Sequence, residues 1–210
     1  HREVPLVTTV FTPLAIAGYL VNSDERMVRF LRENPKEIHT ALEVITESFR
    51  GFSTECLNAG AEGIFLATTH WASRDLISEE EYEEFGRPYD LRLLDAVVGV
   101  PFNILHVCRG QNMLQSLVDY PVNALSWDTE NITNSSLEEA RSYTKLALIG
   151  GVDRNTLLDG RPEEVTDQVH HAIEQSKKGG LMIGPSCSIS PKCSVGNLRA
   201  LRRAVADGTT

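Results

Sequence analysis

Cysteine is scarce: four residues in 210, at positions 56, 108, 187 and 193, with no CxxC pair among them. Small cross-linked domains carry cysteine far more densely, so a disulfide scaffold is excluded and the four are read as reduced thiols. No apolar run approaches the roughly 18–20 residues that span a bilayer, and no membrane association is expected. The Gly-rich phosphate turns are also missing. Neither GxGxxG nor GxxxxGK followed by Ser or Thr occurs, which removes the usual sign of a doubly wound nucleotide-binding sheet. Basic residues number 20 against 29 acidic ones, for a net charge of −9, and they do not cluster. A nucleic-acid partner is therefore not expected, because phosphate binding relies on a positive surface. With 15 Gly and 9 Pro, collagen-like and low-complexity readings fall as well.

What is present is an ordinary globular composition, 41% hydrophobic and 23% charged, with chain enough for one sizeable core. Residues 1–210 read as a single domain, since no linker or internal repeat marks a boundary. The opening HREVPLVTTVF lacks a basic, apolar signal segment, so the expected location is cytoplasmic. The sequons at Asn131 and Asn134 are then chance matches.

Short apolar runs rich in Val, Ile and Leu recur at 5–11, 63–67, 102–107, 122–127, 146–150 and 181–183. Continuous rather than alternating apolar runs are the pattern of parallel strands covered on both faces. Helical stretches lie between them. One starts at Asn34-Pro35, presents Ile38, Ala41, Leu42, Ile45, Phe49, Phe52 and Cys56 as a buried face, and should stop near 58–60, where Gly60 ends it. Ser78 followed by Glu81 is a capping-box pattern opening a second helix. Two more cover 136–146 and 161–178, the last with Pro162-Glu163-Glu164 at its start and Lys177-Lys178 at its end, matching the helix dipole. Six strands alternating with helices predict a parallel α/β fold. Polar or metal-competent residues follow almost every strand: Thr12, Thr68-Thr69-His70, His106 to Arg109, Asp128, Asp153 and Cys187. That is the arrangement of a (β/α)8 barrel, whose strand carboxyl ends build the site. About six βα units are present of eight.

His106 and Cys108 stand two apart at a strand end, so both face one side and one metal can take both. Cys187 follows the last strand at the same end. One His and two Cys form a natural zinc set with an open fourth position; the alternative is two small core thiols and a hydrogen-bonded His. Asp128 is either a carboxylate that orients His106 or a helix cap. His70, beside Trp71, lines a pocket or lies on the surface. Asp153, after Gly150-Gly151-Val152, faces the site or caps the next helix, the glycines serving close backbone approach. Arg109 either holds an acidic substrate group or is solvated. Cys193 is a bystander in a Pro-Lys loop, and Cys56 belongs to the core.

Seven segments in order, Phe11-Thr12-Pro13-Leu14, Gly60-Ala61-Glu62-Gly63-Ile64-Phe65, Glu84-Phe85-Gly86-Arg87-Pro88-Tyr89-Asp90, Leu105-His106-Val107-Cys108, Leu125-Ser126-Trp127-Asp128, Gly150-Gly151-Val152-Asp153 and Ile183-Gly184-Pro185-Ser186-Cys187-Ser188-Ile189, resemble the uroporphyrinogen decarboxylase superfamily. The resemblance runs over essentially the whole chain. It implies a (β/α)8 TIM barrel whose later six units are present here. The superfamily's amino-terminal, arginine-rich portion has no counterpart, and a carboxyl-terminal fragment is the expected explanation, because a barrel short of two strands exposes two edges. Exposed edges also make a homodimer an expectation. Decarboxylases of the superfamily carry Gly-His where this chain has Ser186-Cys187. Its corrinoid-linked methyltransferases carry His-x-Cys and a second Cys some eighty residues on, and bind zinc with them; Cys108 and Cys187 stand 79 positions apart. The resemblance thus implies Zn2+ on His106, Cys108 and Cys187, catalytic roles for Asp128, His70 and Asp153, a corrinoid partner protein and a small-molecule substrate. Uroporphyrinogen decarboxylation and a noncatalytic binding role are the competing readings.

Overall fold

The computed structural model describes residues 4–176 and 179–208. Six strands alternate with helices and follow one another in chain order, β1 to β6, across the sheet. The chain divides into two compact units, one up to Ala124 and one from Leu125 onward.

In the first unit β1 (Val7–Phe11), β2 (Gly63–Ala67) and β3 (Ile104–Val107) pair in parallel, with Val7 opposite Gly63 and Leu66 opposite Leu105. Ile64, Leu66, Leu105 and Val107 are fully buried, which is why β2 and β3 are apolar without alternation. Thr12 caps α1 (Pro13–Val21) by accepting the Ala15 N–H, and Pro13 opens the helix. Ser23 caps α2 (Asp24–Glu33), whose acidic first turn faces the positive end of the helix dipole. Neither α1 nor α2 was marked by the apolar spacing.

α3 (Pro35–Asn58) begins and ends where expected, with Gly60 following at φ +99°. Its buried face differs from the expected one. Ala41 and Phe52 are exposed, while Thr46 and Ser53 are buried beside Ile38 and Leu42. Thr46 can be buried because its Oγ1 donates to the Leu42 carbonyl at 2.7 Å, a local bond that periodicity of apolar residues does not register.

The capping box at Ser78 forms: Ser78 Oγ accepts the Glu81 N–H at 3.1 Å, and Glu81 Oε2 accepts the Ser78 N–H at 2.8 Å. The helix it opens, α4 (Glu79–Phe85), stops at Gly86, and α5 (Arg87–Asp95) starts afresh. Pro88 lacks the N–H that would carry the α4 ladder onward. Among the described residues, only a 3-10 turn (Leu114–Leu117) interrupts the connection from β3 to β4.

The second unit holds β4 (Ala124–Trp127), whose first residue closes the preceding unit, then α6 (Leu137–Tyr143), β5 (Ala147–Val152), α7 (Arg154–Asp159), α8 (Pro162–Gln175), β6 (Leu181–Pro185) and α9 (Val195–Gly208). β5 and β6 are parallel, with Leu148 opposite Leu181. Val152, Leu157, Val165, Val169 and Ala204 form the core under them. α6 opens on a second capping box, Ser136 with Glu139, and ends three residues earlier than expected. Thr144 is extended there, and the Arg141 guanidinium donates to the carbonyls of Thr144 and Leu146. The basic end expected for α8, Lys177 and Lys178, lies outside the described residues. The glycine pair behaves as expected: a Cβ on Gly150 would lie 2.5 Å from Thr129, and one on Gly151, at φ +97°, would lie 2.4 Å from the Ala172 Cβ. Among the described residues no helix is long and apolar enough to cross a membrane.

Candidate metal centre

His106 is the penultimate residue of β3 and is buried. Its ring stacks on Phe65 of β2 at 5.1 Å between centroids. Its carbonyl accepts both the Thr68 N–H at 3.0 Å and the Thr68 Oγ1–H at 3.3 Å, so backbone and ring are both held. Cys108, half-buried, lies just past the end of the strand.

The chain beyond Cys108 is fastened to the loop that follows β2. Met113 N–H donates to Ala72 O at 3.0 Å, Arg74 N–H to Gln111 O at 2.9 Å, and Ser73 Oγ–H to Gly110 O at 2.8 Å. Thr69, Arg109 and Gln111 take left-handed backbone conformations, at φ +55°, +72° and +48°. Such conformations cost about 1–3 kcal/mol each away from glycine, and they persist where surrounding bonds over-determine them, often at functional sites. The side chain of Arg109 is exposed.

In the second unit Ser186 N–H donates to Val152 O at 2.8 Å and Ser186 Oγ accepts the Arg154 N–H at 3.1 Å, which pins the residue before half-buried Cys187. Cys187 Sγ lies 4.0 Å from Ser188 Oγ. Cys193 is occupied elsewhere: its Sγ–H donates to Leu157 O at 2.9 Å, and it packs on the apolar core. The first unit thus carries His106 and Cys108 two positions apart at the end of β3, and the second carries Cys187 just past β6. One imidazole and two thiols are ligand types that zinc takes, and three protein donors leave a fourth position for substrate.

The acidic and imidazole groups expected nearby are placed as follows. Asp128, after β4, accepts the Glu130 N–H at 3.2 Å and so closes a turn rather than capping α6, the task of Ser136. Burial pushes the Asp128 carboxyl above the usual carboxylate range; neighbouring Asp153 adds to this and Arg154 opposes it. Asp153 caps α7, its Oδ1 accepting the N–H groups of Asn155 and Thr156 at 2.8 and 2.9 Å. His70 donates its Nε2–H to Asp24 Oδ1 at 2.8 Å and lies against Trp71, ring centroids 5.3 Å apart. Asp24 carries no sequence signal for this contact, 46 positions away. Nor was the buried carboxyl of Asp90 legible, although the segment containing it belongs to the resemblance.

The family model of uroporphyrinogen decarboxylase (URO-D) matches residues 1–208. A uroporphyrinogen decarboxylase of Pseudomonas fluorescens (strain Pf0-1) is 27% identical over 98% of this chain and 59% of its own length. A methylcobamide:CoM methyltransferase, MtaA, of Methanosarcina barkeri is 25% identical over 95% of this chain and 57% of its own. Among solved structures, a methyltransferase from Methanosarcina mazei superposes with a TM-score of 0.86 over all of this chain and 60% of that one, at 23% identity. The six parallel strands and their interleaved helices are thus a barrel-type α/β arrangement, in a chain that spans about 57–60% of the length of these relatives. On the match across its full described length, the chain belongs to the uroporphyrinogen decarboxylase family.

Proposed function

We propose that this chain carries the zinc-binding part of an enzyme that moves a methyl group between a corrinoid protein and a thiol or methylated small molecule. The donor types carry this reading: His106 and Cys108 of the first unit and Cys187 of the second offer a nitrogen and two sulfurs, with a thiol where the decarboxylase pattern has an imidazole. The name of the Methanosarcina barkeri relative, a methylcobamide:CoM methyltransferase, supplies the reaction type.

Zinc bound there would supply the positive charge that draws the proton from a substrate thiol and keeps the sulfur as a thiolate. The chain's part is to hold and to tune. As zinc ligands Cys108 and Cys187 would bring two thiolate charges and His106 a neutral imidazole, a donor set that would offset the ion's charge and keep a bound sulfur electron-rich. The stack of His106 on Phe65 fixes the ring before any ligand arrives. The proton released has two proposed acceptors. Asp128 keeps a raised carboxyl through burial, with Asp153 beside it. The Nε2–H bond of His70 to Asp24 makes Nδ1 its accepting nitrogen in the neutral ring. If transfer runs toward the corrinoid, zinc held by the same residues would supply Lewis acidity toward a methoxyl or methylamine donor.

The second reading, decarboxylation of a polycarboxylate tetrapyrrole without metal, draws on the 27% identity to a uroporphyrinogen decarboxylase. Metal analysis of the chain purified without chelators, with assays of methyl transfer from methylcobalamin to a thiol and of uroporphyrinogen decarboxylation, tests both. One zinc per chain and methyl transfer is the expected result. A metal-free chain that decarboxylates uroporphyrinogen overturns the proposal.

A further inference from the structure

We propose that Asp90, gripped by Tyr82 and Tyr120, is a pH-sensitive lock on the β3–β4 connection of the first unit. This inference stands on that unit alone and is independent of the zinc reading.

The connection from Cys108 to Asn123 has no α-helix to dock it, only the 3-10 turn at Leu114–Leu117. Its early part is fastened to the loop after β2, as described above. Its later part is held by α4 and α5. The Arg87 guanidinium donates to the Ser116 carbonyl at 3.0 Å, pairs with Asp119, and lies 5.1 Å above the Tyr120 ring. Ser116 Oγ–H donates to Glu79 Oε2 at 2.7 Å. Behind these partly exposed contacts is a buried one. Asp90 Oδ2 accepts the Tyr82 hydroxyl of α4 at 2.7 Å and the Tyr120 hydroxyl at 2.9 Å. Asp90 is 0% exposed, and among the described residues its Oδ1 has no hydrogen-bond partner.

A carboxylate in that position has one oxygen satisfied twice and the other stranded away from water. Buried charge of this kind is costly unless paired. The cation that acts on it, Arg87, also faces Asp119 and Glu83, which draw on the same charge. Burial therefore dominates: it lifts the Asp90 carboxyl to about 7, against the pull of both tyrosine hydroxyls and Arg87. The closed connection binds the Asp90 proton more tightly than an opened one does. Closure is favoured at low pH, weakens as pH rises from the ordinary carboxylate range to about 7, and changes no further above it. When the lock opens, Tyr120 and the turn before it are released, on the segment that begins at Cys108.

Hydrogen exchange of amides 114–120 reads this directly, as protection factors between pH 5 and pH 8. We expect protection to fall about tenfold per pH unit up to pH 7, about a hundredfold in total, and then to level off. Asp90→Asn, which cannot ionise, should show a flat profile. Tyr120→Phe removes a hydroxyl that favours the carboxylate, so its decline should continue above pH 7. The carbonyl stretch of a protonated buried carboxylic acid should be visible by infrared difference spectroscopy at pH 5 and absent from Asp90→Asn. A flat profile in the parent chain, or an equal decline in Asp90→Asn, overturns the proposal. If Asp90→Asn does not fold, the Tyr120→Phe profile decides: a shifted decline supports the lock and an unmoved one overturns it.

Discussion

Cys193 donates its thiol proton to the carbonyl of Leu157 at 2.9 Å, in the apolar core of the second unit. That bond distinguishes it from Cys187, six positions earlier, which is half-buried and is the cysteine proposed here as a zinc ligand.

The pair makes a matched test of the zinc assignment. Cys187→Ser replaces a thiolate donor with a neutral hydroxyl. Zinc affinity should fall by more than the roughly 10–100-fold that loss of even an outer partner of a metal ligand causes, and methyl transfer should fall with it. Far-UV circular dichroism should match the parent, because the residue follows a strand end. Cys193→Ser should keep its zinc, since a hydroxyl can still donate to Leu157, with a stability cost of about 1 kcal/mol. Metal content of both variants by emission spectrometry is the measurement; a full equivalent of zinc in Cys187→Ser refutes the assignment.

Asp128 offers a case where stability and activity should move in opposite directions. Its native carboxyl titrates above the ordinary range, chiefly through burial. The folded chain therefore binds this proton more tightly than the unfolded one, and stability is lost as pH rises from the ordinary carboxylate value through the raised native one. Asp128→Asn removes that loss. Its melting temperature should exceed the parent's at pH 8 and converge with it near pH 4, while methyl transfer drops at both. A variant less stable than the parent at pH 8 would show that the carboxylate is instead a needed partner.

Gly151→Ala should be among the most damaging single-methyl changes in the second unit. Its φ of +97° is open to glycine but not to alanine, and the new Cβ would meet that of Ala172 at 2.4 Å. Backbone strain of about 1–2 kcal/mol adds to overpacking of about 1–3 kcal/mol. Urea denaturation should show a midpoint shift of that size with an unchanged slope.

Ser78→Ala and Ser136→Ala test the helix starts without touching the candidate site. Each removes a hydroxyl that accepts the N–H three residues on, at 3.1 and 3.2 Å. Each should cost about 1 kcal/mol, read by thermal melting, with zinc content and methyl transfer as in the parent.

The features legible in the chain's order are those set by neighbouring residues. Ser78 with Glu81 is read correctly because a capping box spans only three residues. Pro35 and Gly60 delimit α3 for the same local reason. The six strands are legible as short apolar runs, and in β2 to β5 the run follows from burial on both faces. Tertiary structure decided what depends on distant partners. Thr46 and Ser53 are buried on α3 in place of Ala41 and Phe52, because a helix face is defined by what packs on it and not by its own spacing alone. His70 finds Asp24 46 positions away, and Asp90 meets Tyr120 30 positions on; neither contact has a sequence pattern. Burial is what turns Asp90 from one acid among 29 into a group that titrates near neutrality. A residue's type states which proton it can hold; only the fold states how much water and which donors it holds that proton against.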